Sequence, residues 1–201
     1  MRIIGLTGSI AMGKSFIAQQ FLNFGVPVFD CDIMVAKILS HNQEVKVEIS
    51  KAFPASYVDD EIDKKKLGEI VFNNKEAKNR LEEIIYPVLD KEINLFIKDN
   101  LFKKEKILIL DIPLLFEKGY EKKYNFDHII LASAPYSIQK KRALTRPNMT
   151  EEKFEAILKT QLSNSIKKKK ADIIINTGIS KKYTISQVKE FLNRIGNEYT
   201  S

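Results

Sequence analysis

Gly8-Ser9-Ile10-Ala11-Met12-Gly13-Lys14-Ser15 is the stretch from which the rest of the chain can be read. It follows the apolar run Ile3-Ile4-Gly5-Leu6-Thr7. It precedes a helical spacing of Ile17, Phe21 and Phe24, with Gly25 placed to end the helix. The pattern G-x-x-x-x-G-K-[ST] between a strand and a helix is that of a phosphate-binding loop. Such a loop turns backbone N–H groups inward on phosphates, and the helix behind it aims its positive end at them. Gly8, Ala11, Met12, Gly13, Lys14, Ser15 and Phe16 are therefore the expected nucleotide-binding residues. Lys14 has the reach for the β- and γ-phosphates of ATP, and the Ser15 hydroxyl suits a Mg2+ ion. A glycine turn with an incidental lysine is the competing reading, and the strand before and the helix after argue against it.

Working outward, Val26-Pro27-Val28-Phe29 reads as a second strand ending at Asp30-Cys31-Asp32. Residues 41–105 carry helical stripes and few strand signals, too long for a plain crossover, so an inserted helical subdomain is expected there. Pro87 is expected to break or kink one of those helices near Tyr86. Ile107 to Asp111, His128 to Ala132 and Ile173 to Ile175 read as buried strands. Thr150 suits a helix N-cap, with Glu151 and Glu152 in the first turn. The expected class is an α/β phosphate-loop core with a five-stranded parallel sheet flanked by helices. Residues 1–40 and 106–201 would form the core, with a lid at about 142–165, and 41–105 the insertion.

Open α/β sheets bind ligands at the C-terminal ends of their strands. Asp30 and Asp32 stand at that edge, as a base for an attacking hydroxyl or a water-mediated magnesium contact. Capping the next helix is the alternative, for Asp30 more than for Asp32. Asp111 closes its strand where such proteins keep an acid facing the metal, with a turn residue as the alternative. Arg142 and Arg146 share a helix face if the helix persists, and in a lid they would stabilise charge on a transferring phosphoryl group. His41 and His128 lack any metal or catalytic pattern.

The chain has 201 residues, 44% hydrophobic, and a net charge of +7 from 33 Lys+Arg against 26 Asp+Glu. No apolar run approaches the roughly 18 residues of a membrane span, and no secretory signal is read near Arg2. The single Cys31 fits a reducing, cytoplasmic setting. Much of the charge excess is Lys167-Lys168-Lys169-Lys170, read as a solvated face. That run has no interleaved aromatic residues, which argues against nucleic acid. A guanine-specific switch would carry Asn-Lys-x-Asp, and Asn74-Lys75-Glu76-Ala77 lacks the Asp.

Asp30-x-Asp32, Asp111-Ile-Pro-Leu-Leu-Phe-Glu117, Gln139-x-x-Arg142-x-x-x-Arg146, and Gln161 followed by Lys167 and Ala171-Asp172 together resemble the dephospho-CoA kinases. The likeness runs over nearly the whole chain. It implies transfer of the ATP γ-phosphoryl group to the ribose 3′-hydroxyl of dephospho-CoA, with Asp32 as base. It further implies Arg142 in the nucleotide-side lid, Asn176 near the adenine, and substrate held around Tyr86-Pro87. Four positions depart from the family pattern. Ala11 and Met12 stand where Gly and Ser are usual, Tyr86 replaces a His, Pro147 replaces an Asp, and Ile157-Leu158-Lys159 lacks an Arg before Gln161.

Overall fold

A computed structural model describes residues 1–72 and 74–197. They divide into two compact units, one of Met1–Phe29 with Lys104–Ser201 and one of Asp30–Lys103.

The first unit is built on strands β1 (Arg2–Thr7), β2 (Val28–Asp30), β5 (Ile107–Asp111), β6 (His128–Ser133) and β7 (Ile173–Asn176). Its helices are α1 (Lys14–Asn23), α6 (Tyr120–Lys123), α7 (Tyr136–Leu144), α8 (Glu151–Lys159), α9 (Asn164–Lys170) and α10 (Lys181–Asn197). The sheet order is β2-β5-β1-β6-β7. β1 lies parallel to both β5 and β6, with Leu6 opposite Asp111 on one side and Ile130 on the other. Consecutive strands on a parallel sheet need crossovers, and the alternation of apolar strands with helices supplies them.

Side chains alternate across β1. Ile4 and Leu6 are fully buried with Ile17 and Phe21 of α1 and Val188, Phe191 and Ile195 of α10. The intervening Gly5 faces Leu115 and Phe126, whose carbons would lie 2.9 and 3.2 Å from any Cβ there. Helix α1 ends as its sequence suggests. Gly25 adopts φ 77°, its N–H bonds to Leu22 O and that of Val26 to Phe21 O, which is a Schellman closure.

The second unit holds α2 (Cys31–His41), α3 (Gln43–Ala52), the short strands β3 (Tyr57–Val58) and β4 (Glu61–Ile62), α4 (Lys64–Phe72) and α5 (Lys75–Phe102). Helix α5 packs on α2, α3 and α4, burying Ile85, Leu89 and Ile93.

Two features of this unit correct the sequence reading. Of the break or kink expected at Pro87, the break does not occur, because α5 runs through it for 28 residues. The ring removes one backbone bond at a cost of roughly 3 kcal/mol. Burying three large aliphatic side chains offsets it, at about 1.5–3 kcal/mol each. The β3–β4 hairpin was also missed. Its turn is Asp59-Asp60, both at positive φ (50° and 60°), the mirror-image turn that matches strand twist.

Candidate active site

The phosphate-binding loop is shaped mostly by side chains from distant elements. Gly13, at φ 87°, is the N-cap of α1, so Lys14 and Ser15 open the helix. Ser15 is exposed and Lys14 half-buried. The Lys14 ammonium is bound to the carboxylate of Asp111. That acid is completely buried at the end of β5, where an ionised carboxylate is tolerated only with a partner.

On the other side the loop leans on α7, on the connection after α8 and on the segment after β7. Gln139 Nε2 donates to Ile10 O at 2.8 Å, and Ile10 N donates to Gln161 Oε1 at 3.1 Å, so both polar groups flanking that residue are held. Met12 O accepts from Thr177 Oγ1 at 2.7 Å, while Met12 Sδ accepts from Ala134 N at 3.1 Å. Arg142, on α7, donates to Thr177 Oγ1 at 2.9 Å and to Thr177 O at 2.6 Å. Ala11 is buried with Ala143 and Phe154, and Ile10, Met149 and Leu158 pack around them. Gly8 is pressed on β6, where a Cβ would lie 3.0 Å from that of Ala132.

The dephospho-CoA kinase family profile matches residues 2–181 of this chain. The chain belongs to the dephospho-CoA kinase family. The dephospho-CoA kinase of Agrobacterium fabrum is 39% identical over 196 residues, which is 98% of this chain and 99% of that one. Among solved structures, TT1252 from Thermus thermophilus aligns at TM-score 0.82 and 28% identity, over 96% of this chain and 97% of that one. Dephospho-CoA kinase from Campylobacter jejuni aligns at TM-score 0.65 and 30% identity over the same shares. The fold is the five-stranded parallel α/β kinase fold, and the protein is an ATP-dependent kinase of the last step of coenzyme A biosynthesis. Among the described residues no helix is long and apolar enough to cross a membrane.

Within this kinase the remaining candidate residues fall as follows. Asp30 caps α2, its Oδ1 accepting from Ile33 N at 2.9 Å. Asp32 stands exposed in the first turn of that helix, where the N-terminal partial charge favours a carboxylate. Asn176 Oδ1 accepts from Gly178 N at 2.8 Å and so shapes the turn after β7. Phe16 lies under the Lys181 ammonium, 5.9 Å from the ring centre.

The helix does not persist to Arg146, so the face it would have shared with Arg142 on that condition is not formed. Helix α7 ends at Leu144, and Arg146 N bonds to Ala143 O in the turn. Pro147 is the physical reason, because a residue before proline is driven out of the helical region. The lysine run is not a solvated face throughout. Lys167 is fully buried and paired with Glu117 at 2.8 Å, and Glu117 Oε1 also accepts from Leu162 N at 2.9 Å. Lys170 pairs with Glu121 and lies over the Phe116 ring.

The departures in the loop have physical accounts. Met12, where the resemblance leads one to expect Ser, is 3% exposed and belongs to the main core. Ala11 adopts φ 58°, which costs a residue with a Cβ roughly 1–2 kcal/mol. Its methyl group, buried against Phe154, returns about 0.8 kcal/mol. Burial of the methyl group thus offsets part of the cost of the left-handed conformation.

Thr177, Gln139 and Gln161 are the residues whose position at the loop sequence reasoning did not supply. The two glutamines were visible as parts of a motif, without a role. Thr177 carried no signal beyond standing next to Asn176 at a strand end.

Proposed function

We propose that Asp32 takes the proton from the ribose 3′-hydroxyl of dephospho-CoA as that oxygen attacks the γ-phosphorus of ATP. Lys14 and Arg142 balance the charge that spreads over the transferring phosphoryl oxygens. Ser15 and Asp111 suit a Mg2+ ion, being a hydroxyl at the helix start and a carboxylate at the strand end, and both are hard oxygen donors. When bound, that ion neutralises charge on the phosphate oxygens. The carrying observation is the ion pair of Lys14 with buried Asp111 beside the loop, which puts a cation and a buried acid together at the end of β5.

Gly8, Ala11, Met12, Gly13, Lys14, Ser15 and Phe16 would cradle the nucleotide, with Asn176 toward the adenine. Residues 142–165 act as the lid and 41–105 as the part that holds dephospho-CoA, together excluding the water that would otherwise hydrolyse ATP. The cytoplasm is the expected compartment. Incubation with ATP and a panel of acceptors, with products identified by mass, tests the acceptor. Turnover of AMP or CMP with none of dephospho-CoA would overturn it. Asp32→Asn should lower kcat by about 100-fold or more with little change in ATP binding. A near-normal kcat removes Asp32 as the base.

A further inference from the structure

Thr177 follows β7 and is 4% exposed. Its hydroxyl has one proton, and the Met12 carbonyl at 2.7 Å takes it, leaving the oxygen lone pairs to accept from Arg142 Nη1. The Thr177 carbonyl accepts from the second guanidinium nitrogen, so Arg142 is gripped as a two-pronged fork. Thr177 itself cannot drift, because its N–H bonds to Ser133 O at 2.8 Å at the end of β6. The phosphate loop makes room for it. A Cβ on Gly13 would lie 2.9 Å from Thr177 Oγ1 and 3.0 Å from its Cβ. One buried hydroxyl thus joins the loop peptide before Gly13 to the guanidinium of Arg142.

We propose that Thr177 is a positioning residue for phosphoryl transfer: it fixes Arg142 relative to the phosphate loop, so that loop and guanidinium meet the phosphoryl group in one set geometry. The inference rests on the reading of Arg142 as a phosphoryl-stabilising group. A misplacement of about 1 Å at a reacting centre costs on the order of 100-fold in rate, so an arginine with several rotatable bonds needs such a fixture. Threonine suits the task, since its hydroxyl both donates and accepts. Valine, of the same shape, does neither and leaves the Met12 carbonyl without its 2.7 Å donor.

The test is a double-mutant cycle of Thr177→Val and Arg142→Ala, with Thr177→Ser as the conservative variant, reading kcat, KM for ATP and thermal midpoint. Thr177→Val should lower kcat about tenfold, and Thr177→Ser should stay within about twofold of wild type. In the Arg142→Ala background Thr177→Val should add nothing further to the kcat loss, because it acts through that arginine. If the valine variant does not fold, Thr177→Ala carries the same expectation. Wild-type kcat in Thr177→Val, or an equal loss in both backgrounds, overturns the proposal. Normal kinetics in Arg142→Ala alone would instead overturn the reading of Arg142, and the role of Thr177 with it.

Discussion

Lys14 and Asp111 form an ion pair in which the acid is wholly buried and the lysine keeps 12% exposure. A cation that swings toward a phosphate leaves that carboxylate needing another positive charge, and a buried acid is costly without one. Asp111→Asn should therefore lower kcat by at least about 100-fold and flatten its dependence on free Mg2+. An unchanged Mg2+ titration would remove Asp111 from the metal site.

Lys167 and Glu117 show the same economy away from the chemistry. Lys167→Met leaves an acid of 11% side-chain exposure without its partner, which should cost about 3–5 kcal/mol in urea denaturation. The double variant Lys167→Met with Glu117→Leu should be more stable than Lys167→Met alone. A double variant that is less stable would mean that the Leu162 N–H bond to Glu117 matters more than the charge pair.

Pro87 sits inside α5 and denies Glu83 its i+4 backbone donor. Pro87→Ala should restore that bond and stabilise the protein by about 1–3 kcal/mol. A drop in the unfolding midpoint would show that the ring's own contacts outweigh the missing bond.

Helices α7 and α8 are tied by two side-chain bonds, Tyr136 Oη to Glu155 at 2.5 Å and Lys140 Nζ to Glu151 at 2.8 Å. The bond to Glu155 raises the Tyr136 phenol above its ordinary 10.0, and the bond to Glu151 raises Lys140 above 10.5. Both groups have raised pKa values and act in their protonated forms. Their stabilisation is full below the unfolded values and is lost as pH rises through the folded ones. The difference in thermal midpoint between wild type and Tyr136→Phe should be positive at pH 8 and shrink above pH 10. A difference independent of pH would refute the tie.

Much of the fold was legible because its determinants are local. The loop, its flanking strand and helix, the Gly25 closure and the Thr150 cap each announce themselves within a few residues. Asp30 was legible as a cap for the same reason. The break at Pro87 does not occur because a local rule met packing from three other helices, and tertiary burial won. The Asp59-Asp60 turn was missed because its strands are two residues each, too short to show an alternating pattern. The shared face of Arg142 and Arg146 was conditional on the helix persisting, and α7 stops at Leu144, ahead of Pro147. For the candidate site, sequence could propose Lys14, Asp32, Asp111 and Arg142 as chemical types. It could not show that Lys14 rests on Asp111, or that a threonine 35 residues from Arg142 holds it. Such pairings belong to the assembled sheet edge, and no sequence periodicity encodes them.

The contacts that shape the phosphate loop join residues 122 to 165 positions apart: Met12 to Ala134, Ile10 to Gln139 and Gln161, and Met12 to Thr177. The motif leaves the ribosome before the groups that form it, which follow 122 to 165 residues later. During synthesis, at roughly 5–20 residues per second, the nascent chain therefore carries the nucleotide signature for many seconds without a cradle to match. ATP cannot serve as an early folding template for this kinase. It can stabilise only a chain that extends past Thr177, so ligand-induced protection from proteolysis doubles as a check that translation has passed that residue.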